Sequence, residues 1–355
     1  MARDTEAMSM NNNVDARRVF VGMSGGVDSS VSALLLQEQG YEVIGVTVDT
    51  GFGIAPKAAA QVCGELNIEH RIIDLKQKFR RQIVESFIAD YAAGLTPSPC
   101  LICNPRIKFA ALHGLCRRPD DMIATGHYVQ KHYDPESKMH YLTCGDQAKD
   151  QSYFLALLSQ EQISRCLFPL AHMNKPDVRK LAGERGLCSA ERRDSFDVCF
   201  ILNNDYRAFL RDNGIENRPG DIVDADGNRV GCHKGLFNYT IGQRRGLDVA
   251  LGYPTYVLAL DAANNRLVIG PREMLYRSEA VLTGCVFQSI PDPDAELKCL
   301  VRVRHKANLS SATLTPLPDN AALLRFDQPE WGITPGQYAA FYDGDRLLGG
   351  GRFER

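Results

Sequence analysis

The chain has 355 residues, 44% of them hydrophobic and 24% charged, with a formal net charge of -2. That length predicts two or three domains, the near-neutral balance gives no global pull towards nucleic acid, and no apolar stretch approaches the ~20 residues a membrane helix requires. Eleven cysteines in a long chain with no export signal read as reduced thiols, so a cytoplasmic protein with no membrane attachment is expected.

Residues 1–15, polar around Asn11-Asn12-Asn13, predict a disordered tail. Val19-Phe20-Val21 then reads as a first strand, and Val31, Leu34, Leu35 and Leu36 as the buried side of a helix ending at Gly40. Val43 to Val48 is a second strand, Pro56 to Leu66 a second helix, and Arg71-Ile72-Ile73 and Met122 to Thr125 are further strands. This alternation predicts an α/β domain over 16–205 with a doubly wound parallel sheet, whose ligands sit at the carboxyl ends of the strands. Beyond Tyr206 helical signals nearly vanish, and turns such as Asp226-Gly227 and Asn264-Asn265 separate short alternating runs. A small linking β-rich domain is expected over 206–277 and a β-barrel-like domain over 278–355. Arg192-Arg193, Arg244-Arg245 and Arg302 to Lys306 read as solvated faces.

Ser24-Gly25-Gly26-Val27-Asp28-Ser29 lies between the first strand and the first helix. Backbone N–H groups and the helix N-terminus can hold an anion there, Gly25 and Gly26 permit close approach, and Asp28 can bind magnesium or cap the helix. No Gly-Lys-Ser/Thr follows, so this is not a Walker loop. The segment resembles the PP-loop family of ATP pyrophosphatases, which implies adenylation of a substrate oxygen with release of pyrophosphate.

Thr96 to Pro105 forms a Pro-rich loop carrying Cys100 and Cys103. Asn104 is expected to cap, and Pro105 to begin, the helix that follows, so Cys103 would feel its positive end and favour the thiolate. Cys199, read alone, is core. The eight other cysteines, at 63, 116, 144, 166, 188, 232, 285 and 299, have no paired spacing and read as packing residues.

Several blocks in order resemble the tRNA-specific 2-thiouridylase family over nearly the whole chain. They include the SGGVDS loop with Gly22-Met23, Pro99 to Asn104, Ala124 to Tyr128, Lys149 to Leu155, Asp194-Ser195 with Cys199 to Ile201, Ile241 to Leu247, Thr334 to Gln337 and Leu348 to Gly351. The resemblance implies adenylation of O2 of a wobble uridine, then replacement of the oxygen by sulfur. It implies Gly22, Met23, Ser24, Gly25, Gly26, Val27, Asp28, Ser29, Val48 and Gly126 at the ATP site. It implies Ser98, Pro99, His127, Lys149, Asp150, Gln151, Arg304, His305 and Gln337 as tRNA contacts, with ATP, Mg2+, tRNA and a sulfur donor (a carrier protein or free sulfide) as cofactors and partners. Cys103 would attack or accept sulfur and Cys199 would carry a persulfide. The family usually has Asp where this chain has Cys100, which makes a third thiol. Cys100, Cys103 and Cys199 could therefore hold a 4Fe-4S cluster with one iron open, the favoured expectation, with the persulfide route as the alternative. The linker from Asp49 to Pro56 lacks the longer acidic insertion common in the family, which leaves the adenine side open. Another PP-loop ligase or amidotransferase, or a redox-responsive RNA-binding protein, remains a competing reading.

Overall fold

A computed structural model describes residues 17–53, 55–145, 149–192, 198–201 and 204–354. The expected tail at 1–15 lies outside the described residues, as do Arg193, Asp194 and Ser195. The first sheet is built on strand β1 (Arg18–Gly22), whose Val19, Phe20 and Val21 are fully buried. A central strand covered on both faces must be apolar throughout, which explains the unbroken run. It pairs in parallel with β2 (Glu42–Asp49) and β4 (Met122–Ala124), with β3 (Glu69–Asp74) and β7 (Cys166–Leu167) outside them. Among the described residues the order is β3-β2-β1-β4-β7. The strand order reverses at β1, so the crevice beyond the carboxyl ends of β1 and β4 is where a ligand fits.

Between β4 and β7 the chain leaves this sheet as a hairpin, β5 (Val129–Asp134) and β6 (Met139–Cys144), which joins a different sheet. The middle domain pairs β8 (Gly220–Val223), β9 (Arg229–His233), β10 (Tyr256–Asp261) and β11 (Arg266–Gly270) in the order β10-β11-β8-β9. Helical signals nearly vanish beyond Tyr206, as expected: among the described residues the one α-helix there is Tyr206–Asp212, which the sequence reading did not place. Asp205 caps it by accepting the Ala208 N–H at 2.9 Å.

The C-terminal domain contains β12 (Arg277–Phe287), β13 (Leu297–Arg302), β14 (Ser310–Leu317), β15 (Ala321–Glu330), β16 (Tyr338–Asp343) and β17 (Arg346–Phe353). They run β12-β15-β14-β13-β16-β17, and pairing of β12 with β17 closes a barrel around Leu282, Val301, Leu314, Leu324 and Phe341. Closure removes the exposed edges of the sheet. The hairpin from the first domain adds to it through β6 on β17.

Polar ties lock the barrel to the first domain. Arg302 meets Asp150 at 2.7 Å, Arg352 meets Asp90 at 2.7 Å, and the Tyr153 hydroxyl donates to the Tyr338 carbonyl at 2.9 Å. A turn at Pro335 to Gln337 holds Thr96 from both sides: the Thr96 N–H donates to Pro335 O at 3.0 Å, and Gln337 Nε2 donates to Thr96 O at 3.1 Å. The barrel thereby braces the segment that leads into the helix carrying the paired thiols. Among the described residues no helix is long and apolar enough to cross a membrane.

Candidate active site: a phosphate loop and three thiols on one cavity

The loop after β1 is shaped by its own hydroxyls. Ser29 Oγ accepts the Ser24 N–H at 3.2 Å and donates to Gly26 O at 3.0 Å, while Ser24 Oγ accepts the Gly26 N–H at 3.3 Å. Gly25 has φ 75° and packs so closely on the helix Ala55–Glu65 that a Cβ would lie 2.4 Å from Ala58 Cβ. Only glycine meets both demands. The next helix, Val27–Glu38, begins at Gly26 with no side-chain cap, which leaves its N-terminus suited to an anion.

Asp28 does not cap this helix. Its carboxylate accepts from Lys175 Nζ at 2.8 and 2.7 Å and from the Tyr128 hydroxyl at 2.6 Å. Neither partner was among the residues expected from sequence, because Lys175 comes from a helix 147 positions away. Arg192, expected to be a solvated face, instead pins the loop from behind, donating to Gly25 O at 2.7 Å and Ala58 O at 3.1 Å.

The loop opens onto a cavity of about 360 Å³. Gly22, Met23, Ser24, Asp28, Ser29, Val48, Gly126 and His127 line it, and so do Pro99, Cys100, Cys103, Gln151 and Cys199. Residues 22 to 199 thus meet at the reversal of strand order. Gly126 faces the loop directly, where a Cβ would come within 2.9 Å of the Asp28 backbone. Phe52, Phe79 and Phe200, with ring centroids 5.8 to 5.9 Å apart, form an apolar side. Gly25, Gly26 and Val27 shape the loop without lining the cavity.

The thiol helix departs from its sequence reading. It begins at Pro99, not Pro105, and runs through Pro99–Cys103, Asn104–Phe109 and Ala110–His113 without a break, the middle part π-helical. Two prolines each suit a first helical position, and the earlier one takes it. Asn104 is accordingly no cap: it is buried and its Nδ2 donates to Phe154 O at 2.9 Å. Cys103 lies a full turn into the helix, so the expected thiolate preference is overturned. Burial pushes its pKa up to about 12, Lys108 opposing and Cys199 and Cys100 reinforcing. Desolvation by the walls of the cavity it lines likewise raises Cys199, against Lys108. Cys199 is open to solvent, unlike its sequence reading as core.

Lys108 was not anticipated. It is accessible to solvent, and the solvent is that of the cavity it lines; burial presses its pKa down, but Cys103, Cys100 and Cys199 together leave it raised. Burial, with Lys108 adding, lowers His127 to about 3, so the imidazole is neutral at pH 7; its Nδ1 lies 2.8 Å from Thr125 Oγ1.

The three thiols share the cavity, although among the described residues no three His, Cys, Asp or Glu side chains converge as a metal-ligand set. The donor chemistry suits an iron–sulfur cluster, and assembling one needs the thiols drawn together. Of the remaining cysteines, Cys63, Cys166, Cys285 and Cys299 are buried, Cys116, Cys144 and Cys188 partly so, and Cys232 is exposed, which corrects its reading as a packing residue.

The expected RNA contacts divide. Pro99, His127 and Gln151 line the cavity, Gln151 also accepting the Tyr128 N–H at 3.1 Å. Ser98 faces a separate crevice with Asp90 and Arg352, and Lys149 is exposed. Asp150 is engaged by Arg302, Gln337 by Thr96, and His305 packs on Phe154 with centroids 4.3 Å apart. Arg304 is exposed and stacks on Trp331 at 4.7 Å.

Three family models match in succession: "tRNA methyl transferase HUP domain" over residues 17–203, "tRNA methyl transferase PRC-barrel domain" over 207–271 and "Aminomethyltransferase beta-barrel domain" over 277–353. The tRNA-specific 2-thiouridylase MnmA of Trichormus variabilis is 42% identical over 349 residues, covering 96% of this chain and 99% of that protein. The chain belongs to the MnmA family. Further MnmA relatives come from Roseiflexus castenholzii, 40% identical with 95% of this chain and 99% of that protein covered, and Caldanaerobacter subterraneus, 42% identical with 98% and 99% covered. The MnmA family's parallel-sheet HUP domain, PRC-barrel-like middle domain and closed six-stranded β-barrel account for the three sheets described above.

Proposed function

We propose that the protein is a cytoplasmic ATP-dependent tRNA 2-thiouridylase, its chain divided at 16–205, 206–277 and 278–355. The observation that carries this reading is that one cavity opens both on the phosphate loop and on Cys100, Cys103 and Cys199. A uridine C2 oxygen leaves poorly until adenylation makes it part of AMP, so activation and sulfur delivery must reach the same carbon from two sides. The loop N–H groups and the helix N-terminus would hold the phosphates, and Asp28, whose oxygens Lys175 and Tyr128 fix in place, is the cavity-lining carboxylate that would hold Mg2+, an ion that would neutralise charge on the departing pyrophosphate. Val48 and Phe52 flank the adenine side, with Pro99, His127 and Gln151 facing the flipped base. Lys149 and Arg304 are exposed cations suited to the tRNA backbone. Methyl transfer, the activity in two of the family descriptions, has no use for three thiols beside an ATP loop.

For sulfur delivery we favour Cys100, Cys103 and Cys199 as ligands of a 4Fe-4S cluster, which when bound offers an open iron for hydrosulfide. The alternative uses a Cys199 persulfide. Its outer sulfur bonds to C2 as AMP leaves; Cys103 then attacks the inner Cys199 sulfur, breaking the S–S bond, leaving 2-thiouridine and a Cys103–Cys199 disulfide for an external dithiol to reduce. A sulfur-carrier protein or free sulfide is the donor.

The test is nucleoside mass spectrometry of tRNA from cells lacking the protein, complemented with wild type or Cys103→Ala. Loss of 2-thiouridine restored only by wild type is expected; unchanged 2-thiouridine in the deletion rules the activity out. Iron and sulfide analysis after anaerobic purification separates the two routes, since fully active iron-free enzyme excludes the cluster.

A further inference from the structure

The thiol wall holds a cation whose position depends on an irregular helix. Lys108 follows Cys103 by five residues, a spacing that in an α-helix turns a side chain about 140° away. The stretch Asn104–Phe109 is π-helical, and i to i+5 bonding returns the fifth residue over the first. Lys108 therefore comes back to the side of Cys103 and lines the cavity with Cys100, Cys103, Cys199 and His127. Its ammonium is within electrostatic reach of all three thiols, and among the described residues no carboxylate pairs with it. A solvent-facing cation beside thiols, with no carboxylate paired to it among the described residues, is available to an anion that enters the cavity.

We propose that Lys108 holds the transferring sulfur: its ammonium binds the anionic sulfur, hydrosulfide or the outer atom of a persulfide, between Cys103 and Cys199 and facing the adenylated base. The assignment rests on the thiouridylase reading and is independent of which delivery route operates. With hydrosulfide the sulfur–carbon bond forms as the carbon–oxygen bond to AMP breaks. AMP leaves with the bonding pair, the sulfur's proton passes to N3 of the base, and nothing is oxidised or reduced. Lys108 contributes by fixing the nucleophile and offsetting its desolvation.

The experiment measures single-turnover thiolation of tRNA by the full-length enzyme with ATP and sodium sulfide as sulfur source, comparing wild type, Lys108→Met, Lys108→Gln and Lys108→Arg. Methionine and glutamine should raise the half-saturating sulfide concentration roughly tenfold, a ~1.4 kcal/mol loss, while arginine stays within about threefold of wild type. A second readout on the same proteins, freed of iron, is the ratio of alkylation rates by anionic iodoacetate and neutral iodoacetamide. Both reagents consume thiolate, so the ratio cancels thiol ionisation and reports a cation beside the sulfur. It should fall severalfold in Lys108→Met and Lys108→Gln and persist in Lys108→Arg; a general packing defect slows both reagents alike. Wild-type sulfide dependence and an unchanged ratio in whichever neutral variant folds overturn the proposal. Absence of any 2-thiouridine with wild-type enzyme, whether the sulfur comes from sodium sulfide or from a persulfide-bearing donor, defeats the thiouridylase reading itself, a result the ratio keeps distinct from loss of the cation.

Discussion

Gly126→Ala tests whether the phosphate loop is held rigidly from the far side of the cavity. A Cβ on residue 126 would stand 2.9 Å from both the carbonyl carbon and Cβ of Asp28, and 3.0 Å from the Ser29 nitrogen. Ordinary contact begins at 3.4 Å, so about half an ångström must be found, and two of the three neighbours are backbone atoms that no rotamer change can move. Relief therefore requires β4 and the start of the helix Val27–Glu38 to separate. Overpacking of this kind costs ~1–3 kcal/mol of stability. Since displacements near 1 Å cost ~10²-fold in positioned reactions, a half-ångström shift should lower kcat/KM for ATP by roughly tenfold. The assay is AMP and pyrophosphate release with substrate tRNA, alongside urea unfolding. Gly64→Ala is the control: nothing lies within 4 Å of its Cβ, it is exposed on a helix, and alanine there should add up to ~1 kcal/mol of stability with no kinetic effect. Wild-type kinetics and stability in Gly126→Ala would show that the loop yields freely, and the rigid-cradle argument would fail.

Lys175→Met removes the ammonium that grips both Asp28 oxygens and leaves, among the described side-chain partners, the Tyr128 hydroxyl, so ATP-dependent AMP release should fall about tenfold or more, a charge-assisted bond being worth ~1.5–3 kcal/mol; unchanged release refutes a role for the pair. Asp121→Ala breaks a buried pair in which Arg18 donates at 2.9 and 2.8 Å and the backbone of Arg117 and Arg118 at 2.6 and 2.8 Å, and should cost ~3–5 kcal/mol in urea unfolding. Burial pushes the Asp121 pKa up, but these donors bring it well below the ordinary carboxylate range, so its contribution is present above the unfolded pKa of about 4 and is lost as pH falls further; a wild-type advantage that does not shrink in acid contradicts the assignment. Gln337→Ala frees one side of Thr96 and should slow thiolation more than AMP release; equal slowing argues against the barrel bracing the thiol loop.

Much of the first domain is legible locally because its signals are local. The apolar run at Val19 to Val21 and the strand-to-helix setting of Ser24 to Ser29 need only neighbouring residues to be read. The misreadings arise where two local rules compete or where a partner is distant. Pro99 and Pro105 both satisfy the preference for proline at the start of a helix, and choosing the later one inverted the electrostatic reading of Cys103. Lys108 stays invisible because helical spacing assumes 3.6 residues per turn, and the π-helical stretch breaks that assumption. Asp205 three residues before Ala208 was a readable cap for the missed helix Tyr206–Asp212. Lys175 and Arg192 carry no local mark at all: their partners lie 147 and 167 positions away.

The placement of Cys100 gives that irregular helix its significance. In the first turn after Pro99, Cys100 faces the cavity beside Cys103, and a carboxylate there would place a negative charge near Lys108. A carboxylate would give the ammonium a permanent partner, whereas an ordinary thiol, which ionises well above the carboxylate range, does not. Cysteine at this position therefore leaves Lys108 free to take an anionic sulfur when one arrives. On that logic Cys100→Asp, which places here the carboxylate usual in the family, should raise the half-saturating sulfide concentration as Lys108→Met does while ATP-dependent AMP release stays near wild type; wild-type sulfide saturation in this variant refutes the argument.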